Sequence, residues 1–147
     1  MSGVGVRIEG EELQELPAKV RERVLPEFVR LSGEYILSRM VSYAPVRTGA
    51  LYQSISYRVD RSEDHWRLEV GVGVPYAPFV VYGTAPHLIM PVNASVLRFE
   101  TAEGVVYARY VWHPGTRPNP FTARAVADYM EDEDELWKAS FEEEFRG

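Results

Sequence analysis

Trp66-Arg67-Leu68-Glu69-Val70-Gly71-Val72-Gly73-Val74 is the stretch that decides the fold. Apolar residues occupy every second position, against Arg67, Glu69, Gly71 and Gly73. Side chains on a strand alternate between faces, so this pattern predicts a strand with one buried and one open face. Upstream, Ile55, Tyr57 and Val59 alternate in the same way, and the polar run Asp60–His65 separates the two segments. Two alternating runs joined by a polar turn predict an antiparallel hairpin. The glycines at 71 and 73 lie inside the pattern and run into Pro75. They do not open a helix as a phosphate-binding loop requires, and so read as a bend or a close backbone approach.

Moving toward the N-terminus, residues 11–43 read as helical. Leu13, Leu16, Val20 and Val24 recur at helical spacing, and the pattern resumes with Phe28, Leu31, Tyr35, Ile36, Met40 and Tyr43. Pro26 predicts a kink or break, because it has no N–H and its ring crowds the preceding turn. Pro45 ends the pattern. Residues 1–10 read as a flexible N-terminus. Toward the C-terminus, residues 75–95 carry Pro75, Pro78, Pro86 and Pro91 and read as an irregular loop, with a short helical turn in Tyr76–Thr84. A second hairpin is expected from strands at 96–100 and 105–112. Asn119 and Pro120 then suit a helix start, and residues 119–146 read as an acidic helix. The expected fold is therefore a single α+β domain. An antiparallel sheet of about four strands, in two hairpins over residues 52–113, is flanked by a long N-terminal helix and a C-terminal helix.

Composition limits the function. There is no cysteine, which excludes disulfide scaffolds, thiolate metal sites and a thiol nucleophile. No basic segment followed by an apolar run opens the sequence, so no signal peptide is expected. No apolar run is long enough to span a bilayer. The net charge of −6 is unevenly placed: residues 1–119 hold 13 basic and 13 acidic side chains, and residues 120–147 hold 3 and 9. That distribution lacks the basic footprint of a specific nucleic-acid binder. All basic residues other than Lys19 and Lys138 are Arg, whose planar fork suits interface ion pairs.

Reactive constellations are sparse. His65, His87 and His113 fall in different turns or loops, with no metal-ligand spacing between them; a small metal-dependent hydrolase built on these three is the enzymatic alternative. There is no Gly-x-Ser-x-Gly elbow. The acidic run Glu131–Glu135 reads as a solvated helix face. A nucleic-acid-contacting module is the other alternative. The expectation is no catalysis, no cofactor and no metal.

Three Pro- and Gly-bearing loops remain. They are Pro45-Val46-Arg47-Thr48-Gly49, Tyr82-Gly83-Thr84, and Pro114-Gly115-Thr116-Arg117-Pro118-Asn119-Pro120-Phe121. Loops of this composition hold fixed shapes at low entropic cost, and each can present backbone and Arg side chains to a partner. Trp137, Phe141 and Phe145 fall four apart on the last helix and are either core or a docking stripe. The candidate interaction residues are Arg47, Thr48, Gly49, Tyr82, Gly83, Thr84, Gly115, Thr116, Arg117, Trp137, Phe141 and Phe145. Arg47 and Arg117 are the expected cross-subunit ion-pair residues.

On these residues the sequence resembles the tail-component, tail-completion and neck (head–tail joining) proteins of long-tailed bacteriophages. The likeness lies in Pro45-Val46-Arg47-Thr48-Gly49-Ala50-Leu51-Tyr52-Gln53-Ser54-Ile55 after a long helix, in Tyr76 to Thr84, and in the Pro114–Phe121 step into the last helix, in that order over roughly residues 30–130. It departs at Val81-Tyr82, where family members often carry an acidic residue. The resemblance implies a virion structural protein at the junction of head connector and tail tube, located in the virion neck and in host cytoplasm during assembly. Its partners would be further copies in a homo-oligomeric ring together with head-connector and tail-tube proteins, with no membrane and no cofactor.

Overall fold

The structure, a computed structural model, describes residues 4–10, 13–46, 49–90, 97–101 and 103–145. The alternating stretch forms strand β3, Trp66–Val72, paired antiparallel with β2, Ile55–Arg61, in the register Ile55↔Val72 through Arg61↔Trp66. Trp66, Leu68, Val70 and Val72 are buried, so the period-two reading identifies the core face. The class is α+β, with an antiparallel sheet, a long N-terminal helix and a long C-terminal helix.

The first difference is at the N-terminus. Gly5–Gly10 is not a flexible lead-in; it is strand β1, on the other side of β3, giving the order β1-β3-β2. Only Val6 and Ile8 carry its alternation, too short a pattern to stand out. Its register brings Arg7 opposite Glu69 and Glu9 opposite Arg67. With Arg58 and Asp60 contributed by β2, the face expected to be open carries two rows of alternating charge, Arg7–Glu69–Arg58 and Glu9–Arg67–Asp60; at its centre Glu69 and Gly71 are buried, because β3 has a neighbour on both sides. Glu69 is bridged by Arg58 at 2.8 Å and Arg7 at 3.1 Å, and Arg67 meets Glu9 at 2.8 Å. Opposite charges directly across a sheet stabilise their register.

The second difference is in the N-terminal helix. Leu13–Glu15 is a 3-10 turn, and a π-helical segment, Val20–Val24, precedes helix α1, Leu25–Tyr43. Pro26 does not break the helix. It sits in the first turn of α1, where its missing N–H is tolerated, and the crowding falls on the turn before it. There Leu25 N–H reaches back five residues to the Val20 carbonyl, the wider ring of a π-bulge. α1 stops at Tyr43, just before Pro45, as the sequence predicts.

The short helix α2 (Ala50–Gln53) lies between α1 and β2, and a second short helix, α3 (Ala77–Tyr82), follows β3. The second hairpin is present as β5 (Leu97–Thr101) and β6 (Gly104–Ala108), but its expected second strand is cut short. Val111–His113 forms a separate strand, β7, paired with β4, His87–Ile89. β4 lies in the Pro-rich stretch read as irregular, because three residues bounded by Pro86 and Pro91 give too short a pattern to read.

Helix α4, Phe121–Phe145, lies along α1. Its contacts run antiparallel: Tyr43 with Asp128, Ser32 with Tyr129, Tyr35 with Asp132, Phe28 with Trp137 and Arg23 with Glu144. α1 in turn covers the sheet. Phe28 meets Trp66 edge-on with ring centroids 6.4 Å apart. At Gly33 an added Cβ would come within 2.7 Å of the Tyr57 ring, so helix and sheet approach closely there. Ser32, Gly33, Ile36 and Met40 are buried between the layers.

Candidate interaction surface

Two of the three Gly-Thr loops meet. Thr84, just past α3, and Thr116, just before α4, form an isolated antiparallel bridge. Thr84 N–H donates to the Thr116 carbonyl at 3.2 Å, and Thr116 N–H donates to the Thr84 carbonyl at 3.1 Å. Thr116 N–H also lies 3.0 Å from Thr84 Oγ1, and the two hydroxyls are 3.1 Å apart. The glycines make the approach possible. Gly83 and Gly115 have φ of 75° and 88°, a region open to glycine at little cost. A Cβ on Gly83 would lie 2.6 Å from the Thr116 carbonyl oxygen, and one on Gly115 2.3 Å from the Thr84 carbonyl oxygen. The Gly-Thr steps are thus two halves of one latch.

Asn119 ties the latch to the helices. Its N–H donates to the Val80 carbonyl at 2.9 Å, and its side-chain amide donates to the Tyr43 carbonyl at 3.3 Å. One residue therefore joins the end of α1, helix α3 and the entry to α4. Arg124, one turn into α4, lies over the Tyr43 ring at 4.0 Å, a cation–π contact. Sequence reading cast Asn119 as a helix cap; its bridging role needs the α1 terminus beside it, which no local pattern reveals.

The other candidates distribute as follows. Arg47 and Thr48 lie outside the described residues. Gly49, φ 78°, opens α2, and its carbonyl accepts Gln53 N–H at 3.1 Å. Tyr82, at the end of α3, is 74% exposed, and Arg117 is exposed beside the latch. Trp137 stacks on Phe28, ring centroids 3.7 Å apart and planes 7° apart, and packs against the core. Phe141 and Phe145 stack on each other at 6.2 Å and remain exposed. The stripe is therefore core at its first member and surface at the other two. His87 and His113, expected in separate loops, lie opposite each other in β4 and β7. His65 stays in the β2–β3 turn, its Nδ1 3.0 Å from Ser62 Oγ. Among the described residues no group of His, Cys, Asp or Glu could hold a metal ion, and no helix is long and apolar enough to cross a membrane.

Single-sequence patterning did not separate from core a set of exposed large apolar residues: Tyr76 and Phe79 at the start of α3, and Leu88, Tyr107, Tyr110 and Trp112 in the chain between Thr84 and Thr116. Leu88 and Trp112 face each other across β4 and β7. A shallow depression of about 620 Å³ opens beside the latch, lined among the described residues by Phe79, Gly83, Thr84 and Ala85.

Part of the contact between α1 and α4 is polar. Tyr35 and Tyr43 donate to the carboxylates of Asp132 and Asp128. Burial, followed by the Asp132 hydrogen bond, pushes the Tyr35 hydroxyl up to about 12. The hydrogen bond to Asp128, followed by burial, raises that of Tyr43. Neutral tyrosines donating to carboxylates clamp the helices together; they are not poised as acids at neutral pH.

A family model described as "Bacteriophage HK97-gp10, putative tail-component" matches residues 10–83, half of the chain. The chain belongs to this family. The match takes in α1, the first Pro-Thr-Gly loop, the β2–β3 hairpin and α3, and ends on Gly83, the first half of the latch. No curated protein and no solved structure matches. As an HK97-gp10-like tail component the protein is a virion tail structural protein that interacts with other virion proteins.

Proposed function

We propose that this tail component is a tail-completion or neck subunit, without catalytic activity, that joins the head connector to the tail tube as a homo-oligomeric ring. The observation that carries the reading is the latch-borne surface. Tyr76, Phe79, Tyr82, Tyr107, Tyr110 and Trp112 stand exposed on segments that the Thr84–Thr116 bridge and Asn119 anchor to the helical layer. Leu88 and Trp112 stand exposed opposite each other across β4 and β7; exposed apolar patches mark association sites, and aromatic residues anchor interfaces. A ring requires a heterologous contact, in which different patches of one subunit meet on the next. Arg117, exposed beside the latch, and Arg47 serve as cross-subunit ion-pair donors in this reading.

Deleting the gene from the phage tests it. The expected outcome is filled heads and separate tails that fail to join, with joining restored by adding the purified protein. Normal tailed particles without the protein would refute the neck assignment.

A further inference from the structure

The chain carries two unlike exposed apolar patches at the two ends of its longest helix. One is the depression beside the latch, lined by Phe79, Gly83, Thr84 and Ala85, next to the start of α4. The other is the stacked pair Phe141 and Phe145 at its far end. α4 has 25 residues, and at 1.5 Å rise per residue it is ~37 Å long. The Phe pair of one molecule therefore cannot reach the depression of the same molecule.

The charges at the two ends are opposite in sign. Residues 104–127, which lead from the latch into α4, contain no Asp or Glu but include Arg117 and Arg124, whereas the last turns of α4, residues 136–145, contain Glu142, Glu143 and Glu144 against Lys138. Arg117 is exposed, as is Glu142, between the two phenylalanines. We propose that the Phe141–Phe145 end of α4 in one copy seats in the latch depression of the next copy, with Arg117 meeting the acidic last turns. This rests on the ring reading above and names its interface: two aromatic knobs enter an apolar recess within a complementary electrostatic rim. Charge complementarity of this kind sets orientation and encounter rate. Because the patches differ and lie apart, the contact propagates head to tail, as ring closure requires.

The absence of native cysteine allows a direct test on the full-length chain. Glu142→Cys and Ala85→Cys are introduced together, and separately as controls. Disulfide formation needs Cα atoms within roughly 7 Å, so the double variant can cross-link only between molecules. Mild oxidation of the purified double variant is expected to give a ladder of multimers on non-reducing gels. The two single variants mixed are expected to stop at dimers. Adding Phe141→Ser and Phe145→Ser, both at exposed positions, is expected to abolish the ladder with the circular-dichroism spectrum unchanged. No ladder, or a ladder that survives loss of both phenylalanines, overturns the contact. A particle map showing a ring in which the α4 end touches no latch overturns this contact and leaves the neck reading intact; particles lacking the chain remove the neck reading itself.

Discussion

Thr84 and Thr116, 32 residues apart in sequence, hold each other through both backbone N–H groups and both hydroxyls. Two motifs that look like separate recognition loops are partners first. The outward-facing surface belongs to what they anchor: Phe79 and Tyr82 on α3, and Leu88 and Trp112 on the β4–β7 ribbon.

Replacing Gly115 with Ala should loosen this latch. The new Cβ meets the Thr84 carbonyl oxygen at 2.3 Å, and the φ of 88° is unfavourable to any L side chain. Substitutions at incompatible positive-φ glycines cost more than about 1 kcal/mol. We expect a fall of that size or larger in unfolding free energy by urea titration for Gly115→Ala, and similarly for Gly83→Ala. A neutral result at both would mean that the latch is not formed in solution.

Trp137 and its two successors should separate cleanly. Trp137 stacks on buried Phe28, so Trp137→Ala leaves a void between α1 and α4 and should cost about 3 kcal/mol or more. Phe141 and Phe145 are 40% and 54% exposed, and their replacement by Ser should alter stability far less while affecting assembly. Equal losses of thermal stability at all three positions would place the whole stripe in the core.

Glu69 sets an acid limit. The hydrogen bond from Arg58 holds its carboxyl below the usual range against the opposing effect of burial, with the Arg58 and Arg7 charges assisting. A lowered folded-state pKa stabilises the fold above the unfolded value and loses that contribution as pH falls through the folded one. Stability should therefore decline as the pH drops below about 4.5, and Glu69→Gln should have a shallower decline together with lower stability at pH 7. Melting temperatures between pH 3 and 7 check this; parallel curves for the two proteins would contradict it.

The tyrosine clamp sets the alkaline limit. Tyr35 titrates at about 12 in the fold and near 10 when unfolded. A raised folded-state pKa gives stability that is complete below the unfolded value and is lost as pH rises toward the folded one. The folded chain should lose stability from about pH 10 upward, and Tyr35→Phe should flatten that loss. Denaturant midpoints between pH 8 and 12 measure it, and a wild-type midpoint that does not move across this range would dismiss the clamp.

How much of this was legible depended on pattern length. The nine-residue alternation from Trp66 and the helical spacing through Phe28, Tyr35 and Met40 identified the core sheet and its covering helix, because each repeats its period several times. β1 and β4 escape because Val6 with Ile8, and a three-residue strand in a stretch flanked by Pro86 and Pro91, contain barely one period. Pro26 predicts a kink or break because sequence shows the missing donor but not the wider turn that absorbs the crowding. The latch motifs were visible as Gly-Thr steps, yet their mutual pairing is a contact across 32 residues that no local signal encodes. Trp137, Phe141 and Phe145 share one helical face, and only the position of Phe28 shows where core gives way to surface.

The central claim, that this protein works by assembling within the virion, is tested most directly by cryo-electron microscopy of purified phage particles. The account predicts density for the β1–β3 sheet and the α1–α4 pair, repeated as a closed ring between head connector and tail tube, with the Tyr76–Trp112 aromatics buried against neighbouring chains. Particles that contain the chain as isolated copies with those aromatics in solvent, or that lack it altogether, would contradict it.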